Sequence, residues 1–164
     1  MPLLLCALFC LLLAACTPSR ERVRVDLMRA AAHQDRSLDC ARADGCAEWS
    51  PLRVAAAEAV RDSTPESPRH VVLNLESGHD ALLARLHLIR AARRSIEVQS
   101  FIFAQDDAGF LVLDELLRAA RRGVRVRVLL DQLFSIENVE LLAALAQAHA
   151  NFELRLYNPT FGKG

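Results

Sequence analysis

Three β-rich runs at near-even spacing most constrain what this chain can fold into. Ser95–Phe103 (SIEVQSFIF), Val124–Asp131 (VRVRVLLD) and Phe152–Tyr157 (FELRLY) are rich in β-branched and aromatic residues and recur about every 28 residues. That interval is too long for a hairpin and leaves room for one crossover helix, as parallel strands with right-handed connections require. The intervening segments carry the helical period. Phe110–Arg122 places Leu113, Leu116, Leu117 and Ala120 on one side and ends at Gly123, where a C′ glycine belongs. Glu137–Ala150 does the same with Leu141, Leu142 and Leu145. Upstream, Ser77-Gly78-His79-Asp80 fits a capping box, followed by Leu82, Leu86 and Ile89 at helical spacing. Arg85, Arg90, Arg93 and Arg94 fall mostly elsewhere, and Val71–Leu75 reads as a short strand. The expectation is an α/β fold with a parallel β-α-β-α-β sheet. Ligands of such sheets sit at the strand carboxyl ends, here Gln105, Asp106, Asp107, Asp131, Gln132 and Asn158.

The amino-terminal segment reads as an address. Leu3–Ala15 is an apolar run without a charged side chain, too short to span a bilayer core and of the length of a secretory signal's apolar region. A positive region before it is missing. The run ends in Leu13-Ala14-Ala15-Cys16, which resembles the lipobox of bacterial lipoproteins. That resemblance implies cleavage before Cys16 and acylation of its sulfur, with several acyl chains giving stable anchoring. Thr17, in place of an Asp, favours the outer membrane, facing the periplasm, over the inner membrane. An ordinary signal peptide with a coincidental cysteine and a signal anchor are the alternatives. Of the five cysteines, Cys6 and Cys10 then leave with the signal. Cys40 and Cys46 remain as a pair for a disulfide around the Asp44-Gly45 turn signal. Two reduced thiols are the alternative, and a zinc site lacks a second Cys or His pair. The expected division is a signal peptide over 1–15, a helical and irregular tether and leader over 16–69, and a domain over 70–164. Within the leader, Val23–Ala32 and Val54–Arg61 read as helical and Ser63–Pro68 as a linker.

The chemistry on offer is sparse. Twenty Lys and Arg balance twenty Asp and Glu, which argues against a nucleic-acid partner held by bulk electrostatics. A hydrophobic share of 52% with 24% charged residues excludes a disordered chain. No glycine-rich phosphate motif follows a strand. The five histidines show no metal-ligand spacing, and His87 and His149 read as surface or capping residues. Asp106-Asp107 reads as a solvated turn ahead of a cation site. Asp131, at a strand end, is the best polar candidate, with a turn or helix-terminal carboxylate as the equal alternative. Arg93-Arg94 and Arg121-Arg122 end helices, where cations suit the macrodipole; anionic lipid headgroups are their other reading.

The order of residues says more than their types. Asp80–Ala92 (DALLARLHLIRAA) runs into SIEVQSFIF and Gln105-Asp106-Asp107-Ala108-Gly109. Glu115–Asp131 (ELLRAARRGVRVRVLLD) follows, and then Leu156-Tyr157-Asn158-Pro159. Over about residues 70–161 this resembles the opening of a phospholipase D superfamily domain, close to the bacterial cardiolipin-synthase-like branch. The resemblance implies a sheet flanked by helices and two halves meeting at one active site, each contributing a His-x-Lys-x4-Asp motif. One histidine forms a phosphohistidine, the other protonates the leaving alcohol, and the lysines offset phosphoryl charge. No metal or cofactor is implied. The implied partners are membrane phospholipids and either the second part of the domain or a complementing chain. The chain departs from the pattern at the decisive place. Its one lysine, Lys163, has Phe161 two positions earlier, and no histidine has a lysine two positions later. The expectation is therefore an incomplete half-domain ending before the first motif, inactive alone, from which no catalytic residue carries over. Gln99 and Asp131 match positions on the two inner strands and are expected to line the pocket of an intact relative. A non-catalytic lipoprotein module and one chain of a split enzyme remain the other readings. The edge of the last strand, left unpaired, points to poor solubility of the isolated chain.

Overall fold

The computed structural model describes residues 32–131, 135–136 and 138–158. The apolar run Leu3–Ala15, Cys16, all but the last residue of the helix expected over Val23–Ala32, Gln132, Glu137 and the Phe161-to-Lys163 end lie outside the described residues. The chain divides between Gln34 and Asp35 into two units, and the described residues from Asp35 onward belong to the larger.

The larger unit is α/β. Its elements run α1 (Pro51–Arg61), α2 (Gly78–Ala91), β1 (Ser95–Ser100), α3 (Asp107–Arg121), β2 (Arg125–Asp131), α4 (Val139–Gln147) and β3 (Phe152–Tyr157). The three strands form one parallel sheet in the order β1-β2-β3, as the strand spacing requires. Val126 pairs with Ile96 on one side and Phe152 on the other. Alternation sorts each strand. Ile96, Val98, Val126, Val128, Leu130, Phe152, Leu154 and Leu156 join one core with Ile89 of α2, Leu113 and Leu116 of α3, and Leu142 and Leu145 of α4. The opposite face carries Glu97, Gln99, Arg125, Arg127, Glu153, Arg155 and Tyr157, all exposed. There Arg127 Nε donates to Glu97 Oε1 across β1 and β2 at 2.9 Å, a solvated pair that adds little stability.

Caps explain the helix boundaries. The Ser77 hydroxyl accepts from the Asp80 N–H at 3.1 Å and donates to its carboxylate at 2.8 Å, starting α2. Asp106 accepts from the Gly109 N–H at 2.8 Å and starts α3 three residues before the apolar stripe suggests. At the other end Gly123 (φ +95°) donates to Ala120 O and Val124 to Ala119 O, both at 3.0 Å, which is the Schellman closure.

Several expectations need correction. Val71–Leu75 is not a strand: Val71, Val72, Leu73 and Leu75 are all exposed, Val72 at 88%. Its β propensity meets no partner strand among the described residues, and propensity without cross-strand contacts is weak. β1 stops at Ser100 rather than Phe103. The Ser100 hydroxyl donates to Ile102 O at 2.6 Å, and the Phe103 N–H leaves the ladder to reach Ser135 Oγ at 3.1 Å. α4 is shorter at both ends than Glu137–Ala150. His149 is neither a surface nor a capping residue. It is 1% exposed, its Nε2 contacts Ser37 O at 2.9 Å, and its Nδ1 accepts the Asn151 N–H at 3.0 Å.

Two arginines do more than suit their own helix ends. The Arg122 guanidinium donates to Ile89 O and Arg90 O, the closing carbonyls of the neighbouring α2, at 3.1 and 3.4 Å. Burial lowers its pKa. Arg90, in the last turn of α2, donates to Glu115 in the middle of α3. That hydrogen bond holds the Glu115 carboxyl below the usual glutamate range against the opposing effect of burial. A depressed pKa means stability that is present above the unfolded value and lost as pH falls through the folded one. Glu115→Gln is therefore expected to cost about 1–2 kcal/mol at pH 7, discounted because Arg90 remains partly solvated. The gap should begin to narrow as pH falls below the usual glutamate value of about 4.3 and close only at lower pH, where the folded wild-type carboxyl is protonated too. Urea unfolding of both proteins at neutral and acid pH checks this; an unchanged gap overturns it.

Candidate functional site at the strand carboxyl ends

Parallel strands deliver their last residues to one edge of the sheet. Gln99 on β1 pairs with Leu129, Leu129 with Arg155, and Asp131 with Tyr157. Because side chains alternate, Gln99, Leu129 and Asp131 share the face away from the helices. Together with Ser100, Phe101, Tyr157 and Asn158 they line an open depression of about 450 Å³. Gln99 and Asp131 are thus brought to one place, Gln99 exposed and Asp131 only 7% exposed. Asn158 Nδ2 donates to Asp131 Oδ2 at 3.4 Å. Asn158 holds φ +49°, a left-handed conformation that Asn tolerates better than most residues. Its position turns the chain at the end of β3 while its amide stays against the carboxylate. A second depression, about 500 Å³, continues along the open sheet face past Glu97, Gln99, Arg127, Leu129, Glu153 and Arg155.

The loop after β1 is fixed by a residue that sequence reasoning passed over. Ser135 Oγ accepts the Phe103 N–H at 3.1 Å and lies 3.5 Å from Phe101 O, so the loops after β1 and β2 are tied to one another. Ser135 and Ile136 are both buried, and no periodic pattern marks them. Gly109, in the first turn of α3, packs against the same loop: a Cβ there would stand 2.1 Å from Ala104 O. Asp106 is spent capping α3, and Asp107 lies in its first turn, which favours anionic side chains. The pair serves the helix start.

The other candidates lie apart. Cys40 and Cys46 are bonded, with Cα atoms 6.0 Å apart, far from the strand carboxyl ends in sequence and on the helix-terminal side of the fold. Cys16 lies outside the described residues. His70, His79 and His87 are exposed, and His149 is in the turn that precedes β3, at the sheet's opposite edge. Among the described residues, no group of three or more His, Cys, Asp or Glu side chains is placed to hold a metal ion. Among them, too, no helix is long and apolar enough to cross a membrane. The arrangement offers one buried carboxylate with an amide beside it, a glutamine across from it, and an open polar sheet face. It can bind and orient a polar group, and among the described residues it holds no nucleophile paired with a base.

Comparison with known proteins gives this edge a context. Residues 86–161 match the family described as cardiolipin synthase, PLD-like domain. Relatives include two uncharacterized proteins from two strains of Helicobacter pylori, each 34% identical over 114 residues, covering 69% of this chain and 22% of theirs. Cardiolipin synthase C of Escherichia coli is 40% identical over 85 residues, covering 52% of this chain and 18% of its own. The chain thus spans about a fifth of the length of the curated relatives it matches. No solved structure matches.

Proposed function

With residues 86–161 in that family and a 40% identical relative in cardiolipin synthase C, the chain belongs to the phospholipase D superfamily, in its cardiolipin-synthase-like branch; from that premise we propose that it is part of a lipid-anchored phosphatidyltransferase or phosphodiesterase of the bacterial cell envelope. The observation that carries the reading is the convergence of Gln99, Asp131 and Asn158 on one groove at the strand carboxyl ends, inside the matched segment. In this reading the segment supplies scaffold and pocket wall. The phosphohistidine chemistry draws on His-x-Lys motifs that these 164 residues do not contain, so the polypeptide alone is inactive. Its partners are membrane phospholipids and the polypeptide that completes the active site. Acylated Cys16 would hold it at the outer membrane, facing the periplasm.

The test is a graft. Residues 86–158 replace the matching segment of cardiolipin synthase C, and cardiolipin formation from phospholipid vesicles is measured. Formation above background is expected, falling about tenfold to a hundredfold with Asp131→Ala, since misplacing pocket groups costs rate on that scale. A folded graft without activity overturns the reading and favours a non-catalytic module. Turnover by the 164 residues alone overturns the proposed inactivity. Anchoring is read separately: the full chain should take up labelled fatty acid, and Cys16→Ser should not.

A further inference from the structure

The stretch from Asp35 to Ser50 does not hang from the domain. It runs across the carboxyl-terminal ends of all three helices that precede strands. The Asp39 N–H donates to Arg121 O, the last residue of α3, at 2.9 Å, and the Glu48 N–H to Arg90 O near the end of α2 at 3.0 Å. Asp35 O accepts the Ala150 N–H at 2.8 Å, and Ser37 O receives His149 Nε2 at 2.9 Å, both just past α4. Helix ends leave carbonyls without intrahelical partners, and this stretch supplies donors to two of those ends. Gly45 O in turn accepts Arg122 Nε at 3.0 Å, from the same guanidinium that closes α2.

The middle of the stretch is a closed ring between Cys40 and Cys46. Inside it two consecutive residues are left-handed, Gly45 at φ +62° and Cys46 at φ +49°. Gly45 tolerates this. Cys46 has a Cβ, and a non-glycine residue there persists only where its surroundings impose it. The imposing bonds are the disulfide and the Cys46 N–H to Asp44 Oδ1 at 3.0 Å. Gly45 is buried, and a Cβ built on it would lie 3.6 Å from Arg93 O and Arg122 O, in ordinary van der Waals contact with the turns that close α2 and α3.

We propose that residues 35–50 form a redox-sensitive clasp, in which the Cys40–Cys46 disulfide holds the leader against the ends of α2, α3 and α4 and its reduction releases it. A dithiol supplies the two electrons and two protons: the S–S bond breaks, each cysteine becomes a thiol, and the dithiol closes to its own disulfide. Attack arrives at Cys46, which is half-buried, rather than Cys40, which is buried. Cys46 then relaxes from its left-handed φ, carrying Gly45 O away from Arg122 and the Glu48 N–H away from Arg90 O. The strands and their carboxyl-end groove lie at the other edge of the sheet and keep their core. Release lengthens the leader by up to about 50 Å of extended chain.

Amide hydrogen exchange of the full chain, with and without excess dithiothreitol, tests this. Asp39, Glu48 and Ala150 amides are expected to exchange at least about tenfold faster after reduction, as local opening without global unfolding requires. Val126, Val128 and Leu130 amides in β2 should keep their protection. The double variant Cys40→Ser, Cys46→Ser should show the reduced pattern whether or not the dithiol is present. Clasp amides equally protected before and after reduction overturn the proposal. Loss of protection in β2 together with the clasp also overturns it, because the disulfide would then hold the whole fold rather than a latch.

Discussion

Phe152→Ala is expected to destabilise the domain by about 3–5 kcal/mol, the range for removing a large aromatic from a packed core. Phe152 is 2% exposed at the first position of β3. Three constraints meet there. Its neighbour across the ladder is Val126, buried in the central strand. Its own N–H donates to His149 O at 3.0 Å, and the preceding residue's carbonyl accepts the Val126 N–H at 2.8 Å, so the backbone cannot collapse into the space left. The ring also lies in the cluster that joins Leu116, Leu142 and Leu145, so its loss loosens α3 and α4 together. Small domains hold only about 5–15 kcal/mol in total, so the variant should lose a large part of it. The comparison is Tyr157→Ala at the far end of the same strand, where the ring is 60% exposed and the change should stay within about 0.5 kcal/mol. Urea midpoints of the two variants check the contrast; near-equal losses overturn the assignment of Phe152 to the core.

What the sequence makes legible are features whose cause is local. Ser77 announces α2 because a cap needs only its own turn, and Gly123 announces the end of α3 because a left-handed residue belongs there. The even spacing of the three runs carries the parallel sheet because a crossover helix has a minimum length. The same logic brings Asp131 and Asn158 to one edge, since strand ends converge wherever strands are parallel, whereas Gln99 is marked only by the family resemblance. What stays illegible depends on contacts distant in sequence. Phe103 leaves β1 for a hydroxyl 32 residues away, and His149 is fixed by a carbonyl 112 residues away. Arg122 resembles any basic residue at a helix end until α2 is laid beside it. Val71–Leu75 fails in the opposite sense: its local preference is clear, but a strand is completed only by a neighbour.

Gly109→Ala is the second large expected effect, and it falls on the candidate groove's own scaffold. A methyl at this position would stand 2.1 Å from Ala104 O, a backbone atom that cannot rotate away as a side chain could. The helix and the loop must therefore move apart. Moving the loop strains the Phe103 N–H bond to Ser135, which ties the ends of β1 and β2. Moving the helix strains the Asp106 cap, because the Gly109 N–H is the very group that Asp106 holds. Neither route is free, and the expected cost is about 3 kcal/mol or more, beyond the usual range for adding a methyl to a packed site. A glycine in a helix's first turn normally gains from Gly→Ala by up to about 1 kcal/mol, so the sign itself discriminates. Urea unfolding reads the stability. In the graft with cardiolipin synthase C, the same substitution should lower cardiolipin formation, while in the full chain Gly78→Ala, where a Cβ meets nothing within 4 Å, should cost no stability. Equal behaviour of the two glycine variants would remove the steric argument and, with it, the reason to regard the loop after β1 as a rigid wall of the groove.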